Sequence, residues 1–169
     1  GTGHRNSRMK VAKAFSGPVI IEFEEKIRSL CSDILDNTLP MIDFDATKHI
    51  ARELPMRMLG RILGLPEEDL PWLVEKGDAL IANTDPDFTD HVLDKLDTNE
   101  FRLMPHNSPA GAELYEYAET LMKKRLKTEN TNSILHMVMQ PAVDGSKLSE
   151  TEFKNFFCQL VAAGNDTTR

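Results

Sequence analysis

Ala163-Gly164-Asn165-Asp166-Thr167-Thr168-Arg169 sets a carboxylate beside an alcohol. That pair can deliver protons: the carboxyl exchanges with water, and the hydroxyl passes the proton on over a short reach. The segment continues a helical run from Leu160, yet helix propensity does not select it. A Gly inside a helix costs ~1 kcal/mol relative to Ala. Two successive Thr add β-branched strain, and their hydroxyls can bond back to a carbonyl three or four residues earlier. What the cluster supplies is bare backbone at Gly164, on which a flat ligand can lie. The other reading is a helix end that frays into a loop, with Asp166 and Thr167 solvated.

A second pair stands at the opposite end. His4 and Arg8 are four residues apart and share one helical face. A basic pair of this kind suits a dianionic group, because Arg binds a carboxylate through two parallel N–H bonds. A solvated basic helix end fits the same two residues. Cys31 and Cys158 lie far apart and in no CxxC pattern, so a disulfide framework and a zinc site are both disfavoured. Both read as core cysteines, and a reducing compartment follows. His49, His91, His106 and His136 form no HExxH and no pair four apart, so no metal site is expected. Trp72, Tyr115 and Tyr117 read as packing residues.

Every long periodic segment that could position these residues is helical. Arg5 to Phe15 reads as the end of a helix, closed by Ser16-Gly17-Pro18. Phe23, Ile27, Leu30 and Ile34 step by four, three and four along one face, and Leu39-Pro40 ends that run. Pro55 fits the first turn of another helix, with Met58, Leu59 and Ile62 as its apolar stripe and Gly64 as its stop. Pro66-Glu67-Glu68-Asp69 opens a further helix, acids first as the helix dipole favours; Leu70, Leu73 and Val74 face inward. Residues 83 to 109 break periodicity, with a weak helical patch around Val92 to Leu96, and read as a long mobile connection. A long helix follows from about Ala110 to Leu126, striped by Leu114, Tyr117, Ala118, Leu121 and Met122, and a short one covers Ser133 to Met139. Val143-Asp144-Gly145-Ser146 is a turn. Ser149 and Glu152 then form a capping box, and Phe153, Phe157, Leu160 and Gly164 continue on one face. The fold class is all-α.

Composition narrows the functions further. The 169 residues are 40% apolar, enough for a real core. Twenty basic residues stand against 27 acidic ones, a net charge of −7. That surface repels phosphate backbones, and Lys123-Lys124-Arg125, the longest basic run, is diluted by neighbouring Glu, so nucleic-acid binding is not expected. No stretch approaches the ~18 apolar residues of a membrane span. Both ends look cut: Gly1-Thr2-Gly3-His4 carries no initiator Met and no signal peptide, and the sequence stops inside a helix without a stop signal.

Ala163, Gly164, Asp166, Thr167 and Thr168, with Asn165 at the free position, resemble the Ala/Gly-Gly-x-Asp/Glu-Thr-Thr signature of the I helix of cytochromes P450. The resemblance extends upstream in the family's order and spacing. Val143 to Phe153 is similar to the loop into that helix, and Asn132-Ser133-Ile134-Leu135 to the helix before it. Leu54-Pro55-Met56-Arg57-Met58-Leu59 and Leu63 to Asp69 are similar to helix E and the entry to helix F. His4-Arg5-Asn6-Ser7-Arg8, with Val11 and Ala14-Phe15-Ser16, is similar to the end of helix C. The chain is identified on this resemblance as residues 1–169 of one bacterial, soluble-type cytochrome P450 domain, from the end of helix C through the I helix.

The resemblance implies a haem-thiolate monooxygenase that puts one oxygen atom of O₂ into a C–H bond. The cofactor is haem b. In the family its iron takes a Cys thiolate from a Phe-x-x-Gly-x-x-x-Cys-x-Gly loop. Neither Cys31 nor Cys158 sits in such a loop, so the ligand, like the Glu-x-x-Arg pair of helix K, lies outside this chain. Electrons would come from NAD(P)H through a ferredoxin and its reductase. His4 and Arg8 would bind the haem propionates, although Asn6 stands where many relatives carry another basic residue. Ala163 and Gly164 would keep the oxygen pocket open, Thr167 would hold dioxygen by a hydrogen bond, and Asp166 would relay protons. The substrate would be a small hydrophobic molecule such as a sterol, terpene or branched lipid, under a roof formed by residues 81–110. The enzyme would be cytoplasmic. The piece alone would be inactive and marginally stable, with Phe153, Phe157 and Leu160 partly exposed. The alternative from another class is a haem-free helical ligand-binding or interaction module.

Overall fold

The structure, a computed structural model, describes residues 2–82, 84–87, 103–125, 133–142 and 144–167. The helical patch expected near residues 92–96 and most of the expected mobile connection lie outside these residues. Eight α-helices run among them: α1 Thr2–Val11, α2 Gly17–Ile21, α3 Glu24–Thr38, α4 Glu53–Leu63, α5 Leu70–Ile81, α6 Pro109–Arg125, α7 Ile134–Met139 and α8 Glu150–Asp166. No strand occurs among the described residues. Short 3₁₀ turns cover Ala12–Phe15, Glu67–Asp69 and Pro105–Asn107, and one π-turn covers Thr47–Ala51.

The helix ends follow the local chemistry of the chain. Ser149 Oγ accepts from the N–H of Glu152 at 3.2 Å, and the Glu152 carboxylate accepts from the N–H of Ser149 at 2.8 Å, so the capping box is formed. Ser133 caps α7 through the N–H of His136. Gly64, at φ 71°, ends α4: its N–H bonds to Arg61 O, and the N–H of Leu65 bonds to Gly60 O. This is the six-to-one and five-to-two pattern that a left-handed residue closes. The acids of Pro66 to Asp69 lie in the 3₁₀ turn ahead of α5, whose own first turn carries Pro71.

At the centre lies α8, against α6, α5 and α4, while α4 also packs on α3 and α5. Phe153 and Phe157 are 1% and 0% exposed. Such side chains contribute ~1.5–3 kcal/mol each by burial. The expectation that they lose their cover in this piece is therefore wrong: α4, α5 and α6 already enclose them. Trp72, Tyr117 and Phe157 form an aromatic row with centroids 4.8 and 5.9 Å apart. Polar ties frame it, with Tyr117 Oη donating to Asp69 at 2.7 Å and Lys154 bridging Glu119 and Glu150.

Two stripes differ from the sequence reading. On α4 the buried residues are Pro55, Met56, Gly60 and Leu63; Met58, Leu59 and Ile62 are only half-buried. On α8 the buried line runs through Phe153, Phe157, Cys158, Val161 and Asn165, with Leu160 and Gly164 on its margin. Both helices are gripped from several directions, so the enclosed arc is set by the neighbours and not by the most apolar spacing. Cys158 is core as expected, whereas Cys31 is half-buried. No described helix is long and apolar enough to cross a membrane.

Candidate active site

The last turn of α8 presents two sides. Asn165 points inward and is 0% exposed. Ala163 and Thr167 point outward and are exposed, on the line that continues from the half-buried Phe156 and Leu160. Thr167 Oγ1 donates to the carbonyl of Ala163 at 2.6 Å. This is the back-bonding that loosens a helix, and it leaves the hydroxyl oxygen free to accept a hydrogen bond from the open side. The side chains of Asp166 and Thr168 lie outside the described residues.

Gly164 is explained differently from the sequence reading. A Cβ built there would meet Leu59 Cδ2 at 3.0 Å. The space left by the missing side chain is thus filled by α4, and the open surface beside it belongs to Ala163 and Thr167. Asn165, assigned no role from sequence, is the polar anchor of the turn. Its Nδ2 donates to Asp78 Oδ1 at 3.1 Å, and Arg52 Nε donates to the other carboxylate oxygen. The sequence signal for this was a polar residue on the inward side of an apolar helix.

His4 and Arg8 are exposed on α1, and neither forms an ion pair among the described residues. They line a groove of about 480 Å³ between α1 and α8, together with Val11, Phe156 and Gln159. They also line an adjoining cleft of about 580 Å³ along α1, with Met9 and Phe15. Ala163, Gly164 and Thr167 line neither. Phe156 is the link, because it lines the groove and stands on the same helical face as Ala163 and Thr167. The strip thus runs from Phe156 and Leu160 through Ala163 to Thr167, and the basic pair beside Phe156 has no ion-pair partner among the described residues. Cys158 does not qualify as a metal ligand here: burial pushes its thiol up to about 12, so it stays neutral and enclosed.

Comparison with known proteins supplies the frame for this site. No family model matches the chain. Curated relatives match 98% of it: a steroid C26-monooxygenase of Mycolicibacterium smegmatis at 26% identity over 166 residues, and a cytochrome P450 of Bacillus subtilis at 28% over 165 residues. Among solved structures, a Mycobacterium marinum cytochrome P450 in complex with pseudoionone superposes over 98% of the chain, with a TM-score of 0.78 and 26% identity. The chain is a segment of the cytochrome P450 fold. It spans 35% and 37% of the two curated relatives and 38% of the solved chain. Within that fold, the acid–alcohol turn stands at the end of a central helix and the basic pair on a separate helix alongside.

Proposed function

We propose that the chain is the stretch from the end of helix C through the I helix of one cytochrome P450 domain, and that the whole protein is a haem-thiolate monooxygenase. The observation that carries this is the last turn of α8. Within a chain similar to cytochromes P450 from end to end, it turns Ala163 and Thr167 to the open side and buries Asn165.

The haem supplies the activation of O₂; its thiolate ligand would come from a Cys outside this chain. His4 and Arg8 would hold the propionates, each through N–H donors that no described acid occupies. Ala163 would keep the surface flat where the macrocycle lies. Thr167 Oγ1, whose one proton goes to Ala163 O, would accept a hydrogen bond at the substrate side while it remains so tethered, and Asp166 would carry protons inward from water. Gly164 would act through the close approach of α4 that it allows. A carboxylate followed by an alcohol gives a two-step path in which no group must move far.

The substrate would be hydrophobic. Relatives named as a steroid C26-monooxygenase and a methyl-branched lipid omega-hydroxylase, and a neighbour in complex with pseudoionone, support a sterol, terpene or branched lipid. Electrons would come from NAD(P)H through a ferredoxin-type partner, in the cytoplasm. The test is the absorption of the full-length protein reduced under carbon monoxide. A haem band at the thiolate position is expected; a protein without haem would overturn the reading.

A further inference from the structure

The last turn of α8 is poorly suited to hold its own shape. Gly164 and the β-branched Thr167 are weak helix formers, and the Thr167 hydroxyl competes for the Ala163 carbonyl. Its rotation must be set from outside, and the structure shows by what. Asn165 is held by Asp78 of α5, which is held by Arg52 at the end of the π-turn. Asp78 is buried, with a 2% exposed side chain. A buried carboxylate is tolerated only when its oxygens are bonded; here each oxygen has a donor.

The contact is also sterically fixed. A Cβ on Gly77 would lie 3.1 Å from Asn165 Nδ2 and 2.9 Å from Met56 Cε, so α5 and α4 close on the amide from two sides. Asn165 is two positions from both Ala163 and Thr167, a rotation of about 200° in each direction around the helix. Holding the amide inward therefore turns Ala163 and Thr167 outward together.

We propose that Asp78 and Asn165 are positioning residues: the Arg52–Asp78–Asn165 chain sets the rotation of the last turn of α8 and so aims Thr167 at the reacting side. This rests on the monooxygenase reading above. The chain joins three parts of the sequence that meet only in the fold, and it ends beside the acid–alcohol pair.

The test uses the full-length, haem-loaded protein and two variants. Asn165→Leu removes the amide but keeps its branched shape and leaves the Arg52–Asp78 pair intact. The exchanged pair, Asp78→Asn with Asn165→Asp, lets an amide at position 78 accept from Arg52 and donate to a carboxylate at 165. In Asn165→Leu the amides of residues 164–167 should exchange about tenfold faster, the factor one hydrogen bond represents. Several-fold more NAD(P)H should go to peroxide, with the carbon monoxide band unchanged. The exchanged pair should bring both quantities back towards wild type. Unaltered exchange and coupling in Asn165→Leu, or a lowered melting temperature alone, would overturn the proposal, as would an exchanged pair no better than the single variant. Should Asn165→Leu fail to fold, Arg52→Gln at the outer end of the chain must shift the same two quantities or the proposal falls. A wild-type protein without the haem band would sink the monooxygenase reading instead, and amide exchange would still decide the positioning role.

Discussion

Lys10 of α1 reaches Glu152 of α8 at 2.8 Å across 142 residues of sequence. The other oxygen of that carboxylate accepts from the N–H of Ser149. One side chain thus caps α8 and docks α1, the helix that carries His4 and Arg8 on its exposed side.

This arrangement has a pH signature. The Lys10 ammonium and the Ser149 N–H hold the Glu152 carboxyl at about 2, below its usual 4.5. Because the folded value is the depressed one, the stabilisation is complete above pH 4.5 and is lost as pH falls through about 2. Carbon-detected NMR of Glu152 should follow that low titration, and Lys10→Met should move it upwards. A carboxyl that titrates near 4.5 with Lys10 in place would contradict the bridge.

The two cysteines should differ in reactivity. Cys158 is enclosed, and with its thiol near 12 only roughly 1 in 10⁴ molecules is thiolate at pH 8. Cys31 is half-buried at the surface of α3. Iodoacetamide on the native protein should label Cys31 first by a wide margin, as read by peptide mass spectrometry. Equal labelling would mean that α8 is not packed as described.

Glycines on facing helices should respond unequally to Ala. At Gly60 a Cβ would overlap Leu70 Cδ2, and relieving the overlap demands movement of a fully buried side chain. Gly60→Ala should cost ~1–3 kcal/mol through overpacking. At Gly164 the contact is 3.0 Å to Leu59 Cδ2, on a half-buried leucine that can give way. There the crowding is offset by the ~1 kcal/mol gain in helix propensity, so Gly164→Ala should change the urea midpoint little. A reversed order would argue against the α4–α5 crossing.

Thr167→Ala in the full-length protein should bind haem and substrate as before, because the hydroxyl is exposed and is tied, among the described residues, to its own helix. It should consume NAD(P)H while it releases more peroxide and less product, because proton delivery is disturbed. Unchanged product yield per NAD(P)H would remove Thr167 from the role proposed for it.

Much of the fold was legible because its signals are local. The capping box at Ser149, the stop at Gly64 and the stripe through Phe23, Leu30 and Ile34 each depend on residues within a turn or two. What could not be read depends on distant partners. The inward side of Asn165 requires a carboxylate 87 residues away, and nothing in the local sequence names Asp78. The same holds for α4, where Met56 is buried and Met58 is not because α5 crosses at Gly60. At the site, His4 and Arg8 were legible as a pair from their spacing. Their placement beside Phe156 was not, because it follows from where α1 docks on α8.

The central place of α8 also bears on how the chain is made. During synthesis α4, α5 and α6 leave the ribosome before the helix that covers their shared face. Met56, Leu73 and Leu114, all fully buried in the finished structure, must wait uncovered for as long as it takes to make the residues in between. At ~5–20 residues per second, the roughly 25 residues between the ends of α6 and α8's first turn take on the order of seconds. A nascent chain in that interval is a natural client for chaperones that shield apolar surface, and the cover for that face arrives with the helix that carries the proposed chemistry.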